Sequence, residues 1–259
     1  MDDTTIIEEI QRLVAKTIAT NPVGLNLVLI GGFRFRLLDD SPRMSVDIDY
    51  HWGESLSEKQ KEIVSLLEKK IVPELKNRFG YDAHVYPVEG PEAESAMVSM
   101  VTLAFYRLDI PGSKRIVSID ITHSDCIDKP ITRTKDGVIY LTATDQDMIE
   151  SKIISLLCRI HTQARDFLDI FLFENQLSKN SPERIFQKLK KNHLDSAKAH
   201  STLNQIVHDK KYHVKNVSEL IESQLDADIA NQLNQAGGGA TVFDRVIKIL
   251  QATLAPAHP

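Results

Sequence analysis

What is scarce in this chain of 259 residues narrows its class first. It carries two cysteines, Cys126 and Cys158, far apart and outside any CxxC pattern, so neither a disulfide framework nor a thiolate zinc site is indicated. No uninterrupted apolar run approaches the roughly 20 residues that a membrane helix needs, so no membrane partner is expected. The start, MDDTTIIEEIQRLVAK, is acidic and amphipathic, unlike the basic-then-apolar pattern of a secretory leader, and a cytoplasmic protein is the expectation. Excess positive charge is lacking as well: the net charge is −5, which does not by itself suggest a nucleic-acid binder. What is present, 42% apolar and 26% charged residues, is the balance of a soluble globular protein with a substantial core.

Hydrophobic periodicity divides the chain near residue 145. Ile6, Ile7, Ile10, Leu13, Val14 and Ile18 recur at helical spacing, and Asn21-Pro22 ends that helix. Leu25–Ile30 reads as a buried strand, Phe33–Leu38 as one or two helical turns, and Met44–Trp52 as a second strand. Ser57 reads as the N-cap of a long helix that Gly80 stops. Strand patterns follow at Tyr81–Val88, Val98–Leu108, Arg115–Thr122 and Val138–Leu141. From Asp147 to Phe173 the pattern is helical, and it recurs at 183–207, 217–234 and 241–254. Gly237-Gly238-Gly239 reads as a linker before the last helix, since it lacks the Lys-Ser/Thr of a phosphate-binding loop. The expectation is an α+β domain over 1–145, with a mixed sheet and helices, followed by an all-helical domain over 146–259.

Charge is divided unevenly. Residues 176–215 hold eight Lys and one Arg against one Glu and two Asp, together with His193, His200, His208 and His213. Such a basic segment on an acidic body suits a phosphate backbone, although a solvated face of surface helices would look the same. Its aromatics, Phe186 and Tyr212, are too few to suggest base stacking.

The stretch LNLVLIGGFRFRLLDDSPRMSVDIDY carries the chemistry. Residues two apart on a strand share a face, so Asp47 and Asp49 stand together while Ile48 and Tyr50 point to the core. Paired carboxylates repel, and a divalent cation with oxygen ligands is the usual compensation. Asp120, in the strand pattern IVSIDIT, is the candidate for a third carboxylate. Without Cβ atoms, Gly31 and Gly32 would let the backbone approach a triphosphate, and a helix start beyond them favours anions. Taken singly, a Gly-Gly turn is more often structural, and a DxD is a turn or cap at least as often as a metal site. In this order and on strands they are far more specific. In the helical half, Lys152, Arg159 and Asp166 recur every seven residues and share a face, provided the helix continues through His161-Thr162-Gln163. Lys152 and Arg165 suit a polyphosphate, and Asp166 could pair with and orient a base; the competing role is that Arg165–Asp169 and Lys152–Asp166 contacts tie helix to sheet. His123-Ser124-Asp125 has the residue types of a triad, but adjacent residues do not converge on one reacting atom.

At these residues the chain resembles a known family. Gly31-Gly32 followed by Arg43-Met44-Ser45-Val46-Asp47-Ile48-Asp49 is similar to the GG…RxSxDID signature of the AbiEii/AbiGii-type nucleotidyltransferase toxins, within the DNA polymerase β-like nucleotidyltransferase superfamily. Glu150-Ser151-Lys152 and Ala164-Arg165-Asp166-Phe167-Leu168-Asp169 are similar to its Lys…ARDxxD segment. Phe33 stands where relatives carry a small or hydroxyl residue, and the loop from the glycines to the Asp pair is long. The resemblance implies a polymerase β-like fold and transfer of a nucleoside monophosphate from an NTP, with pyrophosphate released. It implies that Asp47, Asp49 and Asp120 hold Mg2+ (or Mn2+), with Asp120 completing the shell or assisting deprotonation of the acceptor. It implies catalytic parts for Lys152 and Asp166, and nucleotide contacts from Gly31, Gly32, Arg43, Ser45, Lys152 and Arg165. The implied acceptor is an RNA end, the 3′ end of tRNA, and the implied role is that of a toxin with a cognate antitoxin as partner. Two rivals stand beside it: nucleotidylation of a protein side chain, and a non-catalytic NTP- or RNA-binding regulator of the same fold.

Overall fold

A computed structural model describes residues 3–88, 98–123, 126–159, 161–191 and 196–255. Two compact units emerge, each assembled from three separate pieces of chain. The first comprises Met1–Asp40, Met44–Ser124 and Pro130–Ala143, the second Ser41–Arg43, Asp125–Lys129 and Thr144–Pro259.

In the first unit, helices α1 (Asp3–Ala19), α2 (Gly31–Leu38) and α3 (Leu56–Glu74) accompany seven strands. These are β1 (Val28–Ile30), β2 (Asp47–His51), β3 (Asp82–Val88), β4 (Val98–Tyr106), β5 (Arg115–Thr122), β6 (Ile131–Lys135) and β7 (Val138–Thr142). They form one mixed sheet in the order β3-β4-β5-β2-β1-β7-β6. The pairs β2–β5 and β1–β7 are parallel and the other neighbours antiparallel. Strand alternation sets the two faces. Ile48 and Tyr50 of β2 and Val117, Ile119 and Ile121 of β5 join the core, into which α1 sends Ile10 and Val14 and α3 sends Ile63 and Leu67. Fully burying each such side chain contributes about 1.5–3 kcal/mol, so this face, not β-propensity, holds the central strands in register. Replacing Ile48 by Ala would remove about 2–5 kcal/mol.

Several local details differ from the pattern read along the chain. The N-cap of α3 is Ser55, whose hydroxyl accepts from the Glu58 N–H at 3.4 Å, rather than Ser57. Ser55 and Glu58 stand at capping-box spacing, which settles where the helix starts. The edge strand β6, with the sequence ITRTK, is largely solvent-facing and so lacks the alternation that marks the other strands. Its hairpin partner is set by Asp136-Gly137, both with positive φ (51° and 73°), the pair that a tight two-residue turn requires.

The second unit is helical among the described residues outside its turns. It contains α4 (Asp145–Cys158), α5 (Ala164–Leu172), α6 (Ser181–Lys191), α7 (Ser196–His208), α8 (Lys210–Gln224), α9 (Ala227–Gln235) and α10 (Gly238–Leu254). Its buried residues include Phe167, Ile206, Val217, Phe243, Val246 and Leu250. The single helix expected from Asp147 to Phe173 is two: Arg159 turns to extended backbone and the chain re-enters a helix only at Ala164. Polar His161-Thr162-Gln163 has no apolar side to bury, so packing does not carry the helix through it. Gly238 and Gly239 are also no linker. They open α10, and a Cβ on Gly239 would press on the backbone of α8, 2.5 Å from the Val214 carbonyl. Ser124, Asp125, Ile160 and His193 lie outside the described residues.

Candidate active site

Asp49 and Asp120 are register partners on the parallel strands β2 and β5, and Asp47 precedes Asp49 by one strand repeat. All three are half-buried, on the face opposite Ile48 and Tyr50. Neighbouring strands lie about 4.8 Å apart. At that spacing two carboxylates repel by on the order of 3 kcal/mol for an effective dielectric near 20. A positive or dipolar group must offset that cost. One is supplied by α2, which starts at Gly31 directly against the Asp49 carboxylate. A Cβ at Gly31 would collide with the Asp49 carboxyl group, and Gly31 also has φ +77°. The N-cap residue, Ile30, has no polar side chain to cap these backbone N–H groups. The start of a helix favours negative charge, whether that of Asp49 or of a phosphate.

The same face carries groups that the spacing of acids did not single out. His51 is one more repeat along β2, and its Nδ1 lies 3.2 Å from the Thr122 carbonyl on β5. Strand alternation alone would have placed it there. Gln11 of α1 is buried, and its Nε2 donates to the carbonyls of Ser45 at 3.1 Å and Val46 at 2.9 Å. That clamp fixes the backbone that delivers Asp47. The Ser45 hydroxyl donates to the Asp47 carbonyl at 3.1 Å, so it shapes the strand entry. Phe33 is fully buried in the core, and Gly32 is buried beside it in the first turn of α2.

The expected residues of the helical unit meet in a separate buried network. Lys152 of α4 reaches Asp169 at 2.8 Å and Asp166 at 3.4 Å on α5. Arg159 donates to Asp166 at 2.8 Å. Asp169 also receives Arg43 twice, through Nε at 2.6 Å and Nη2 at 3.0 Å. Lys152 and Asp166 therefore meet across a turn between two helices, not along one helical stripe. Burial disfavours both charges, yet the partners prevail: the Asp169 and Asp166 carboxylates hold the Lys152 pKa above its usual value, and Lys152 and Arg43 hold that of Asp169 below. The fork of Arg43 is spent inside the protein as a brace. Arg165 is half-buried in the first turn of α5.

A second buried network was not anticipated. Arg184 of α6 holds Asp128 through both oxygens at 2.9 Å and reaches Glu150 at 2.9 Å and Asp147 at 3.1 Å. Lys188, fully buried, lies 2.7 Å from Asp147 and 3.2 Å from Glu150. Read along the chain, Arg184 and Lys188 were part of a basic run. Their i,i+4 spacing opposite Asp147 and Glu150 at i,i+3 was the available signal.

A divalent cation is a hard ion that takes oxygen ligands, and Asp47, Asp49 and Asp120 offer oxygen donors from two hydrogen-bonded strands. By donor chemistry the set fits such an ion. No group of three or more His, Cys, Asp and Glu side chains among the described residues is already gathered as a metal cage.

A mixed sheet with two carboxylates on one strand, a third in register beside them and a Gly-Gly helix start places the molecule among nucleotidyltransferase folds. A family model described as nucleotidyl transferase AbiEii toxin, type IV TA system, matches residues 12–248. The chain belongs to this family and is a nucleotidyltransferase toxin of toxin–antitoxin type. A Helicobacter pylori structure assigned provisionally as a nucleotidyltransferase is similar over 100% of this chain and 99% of its own, with 16% identity and a TM-score of 0.57. The structure of JHP933 from Helicobacter pylori is similar over 97% and 95%, with 16% identity and a TM-score of 0.50. These two likenesses concern the fold. No curated protein matches the chain in sequence.

Proposed function

We propose that this toxin moves a nucleoside monophosphate from an NTP to the 3′ hydroxyl of an RNA, in a reaction that depends on Mg2+ or Mn2+. The observation that carries the reading is the register of Asp49 against Asp120 with Asp47 on the same face. In the proposed reaction the acceptor oxygen forms a bond to the α-phosphorus, the bond from that phosphorus to the β-phosphate bridging oxygen breaks, and pyrophosphate leaves. The hydroxyl proton passes to a carboxylate, for which Asp120 is the candidate. Asp47 and Asp49 would hold the cation, with Asp120 completing its shell. When bound, the cation neutralises phosphate charge and makes the acceptor hydroxyl easier to deprotonate. The start of α2 at Gly31-Gly32 offers backbone N–H groups to a phosphate. Gln11 and Ser45 keep the Asp47 backbone in place. In the helical unit, Lys152 is held charged by Asp169 and Asp166, and two of its three donors are directed at them. Lys152 and Arg165 are this unit's candidates for a contact to polyphosphate, while Arg43 steadies Asp169.

With Arg184 and Lys188 spent on buried acids, residues 176–215 still hold seven Lys against one Glu and two Asp, which supports RNA as acceptor over a protein side chain. The test is incubation with each labelled NTP, Mg2+, total tRNA and protein extract. Label in tRNA is expected, lost with Asp49→Ala while the circular dichroism spectrum is kept. Label in protein alone would replace the RNA acceptor by a protein one. Growth inhibition surviving in Asp49→Ala would favour the non-catalytic regulator.

A further inference from the structure

We propose that a cavity within the helical unit binds a phosphorylated nucleoside, either free or as one residue of a single-stranded RNA. The cavity measures about 480 Å³ and runs between α7, α8 and the residues Cys158, Arg159, His161 and Thr162. Its volume falls in the range of roughly 300–1,000 Å³ typical of small-molecule sites. None of Asp47, Asp49 and Asp120 lines it.

The lining supplies each part that a nucleotide needs. Arg159 and Lys198 bring cationic groups, suited to a phosphate. Ser201 and Thr202 present hydroxyls on consecutive positions of α7, suited to a ribose. Tyr212, with 61% of its surface exposed, and His213 stand edge to face with ring centroids 5.3 Å apart. Behind them Phe167 and Phe243 back the His213 ring at 5.4 and 6.2 Å. Of the two aromatics in the basic segment, Tyr212 lines the cavity and Phe186 does not. Burial pushes the His213 imidazole down against the opposing charge of Asp209, so the ring brings no positive charge near pH 7; its Nδ1 lies 3.4 Å from the Thr162 hydroxyl, and the exposed ring of the pair is that of Tyr212. The acid of the wall, Asp209, accepts from Gln205 Nε2 at 2.6 Å, which moderates its repulsion of a phosphate.

Arg159 adds a connection. It lines the cavity and also donates to Asp166, the carboxylate shared with Lys152. A phosphate on Arg159 would compete with Asp166 for the guanidinium, so occupancy of the cavity would bear on the charge around Lys152.

The assignment rests on the nucleotidyltransferase reading only where the nucleotide belongs to an acceptor strand, and the experiment separates the two. The full chain is titrated into a fluorescently labelled, short single-stranded RNA, and separately with CMP and AMP by calorimetry. Lys198→Glu and Tyr212→Ala alter exposed side chains and should fold normally. Each is expected to weaken binding about tenfold, the scale of one base–aromatic stack, and Lys198→Glu to lower the salt slope by about one. RNA binding without binding of CMP or AMP would place the cavity on a strand, and the reverse would make it a free-nucleotide site. Unchanged affinity in both cavity variants, or no binding of any probe at millimolar concentration, would overturn the assignment whatever Asp49→Ala does to transfer. Loss of binding in the cavity variants with transfer intact in Asp49→Ala would instead overturn the enzymatic reading and leave the cavity standing.

Discussion

Gly31 and Asp49 are in such close contact that no side chain fits between them: the first residue of α2 lies against the carboxylate of β2. Gly31→Ala would add both a steric collision and a left-handed conformation that costs a non-glycine residue about 1–2 kcal/mol. The Asp49 carboxylate would have to move. We expect a loss of about 1–3 kcal/mol in urea unfolding, and near-complete loss of labelled nucleotide transfer. Full activity in this variant would show that the Asp49 position is not critical.

Asp120→Asn should have opposite effects on stability and activity. It removes the repulsion from Asp49 while keeping the size of the side chain. In chelator, the unfolding free energy in urea should stay equal or rise, by up to about 3 kcal/mol of relieved repulsion, while transfer is lost. A destabilised variant would mean that Asp120 serves the fold.

The Arg43–Asp169–Lys152 network sets limits at both ends of the pH scale. Asp169 has a lowered pKa in the folded chain. Its contribution is complete above the unfolded value of about 3.9 and is lost as pH falls through the lower folded value. The raised pKa of Lys152 gives a contribution complete below about 10.4 and lost as pH rises through the higher folded value. Asp169→Asn strands Arg43 and Lys152 beside a neutral group and should cost about 3–5 kcal/mol at neutral pH. Unfolding free energy measured from pH 3 to pH 7 should then rise less steeply than in the parent. An equal slope would remove Asp169 from the account.

Lys188 is buried between Asp147 and Glu150. Lys188→Met leaves three acids facing Arg184 alone and should destabilise the protein by about 3–5 kcal/mol. Adding Asp147→Asn should recover part of that loss, a coupling that a double-mutant cycle measures. Additive losses would show that the two side chains act independently.

The sheet and its acids were legible because alternation on β2 and β5 is strict: Ile48, Tyr50, Ile119 and Ile121 must face a core, so Asp47, Asp49 and Asp120 cannot. Their adjacency was harder to see, since it depends on β2 and β5 pairing in parallel across more than 60 residues of chain. Lys152 and Asp166 were correctly taken together for a reason that does not hold, because periodicity cannot report a turn that returns α5 against α4. The Arg184 network was invisible for a related reason. Charges on separate helices cancel only in three dimensions, and a local count of residues 176–215 assigns them all to the surface.

Arg43 has a consequence for dissection of the molecule. It comes from a three-residue excursion, Ser41–Arg43, far upstream of the helices it completes. A fragment begun at Thr144 would bury Asp169 with Lys152 but without the guanidinium that grips both its oxygens. Such a truncation would also leave Arg184 without the Asp128 carboxylate, so residues 41–43 and 125–129 both have to travel with the helices they brace.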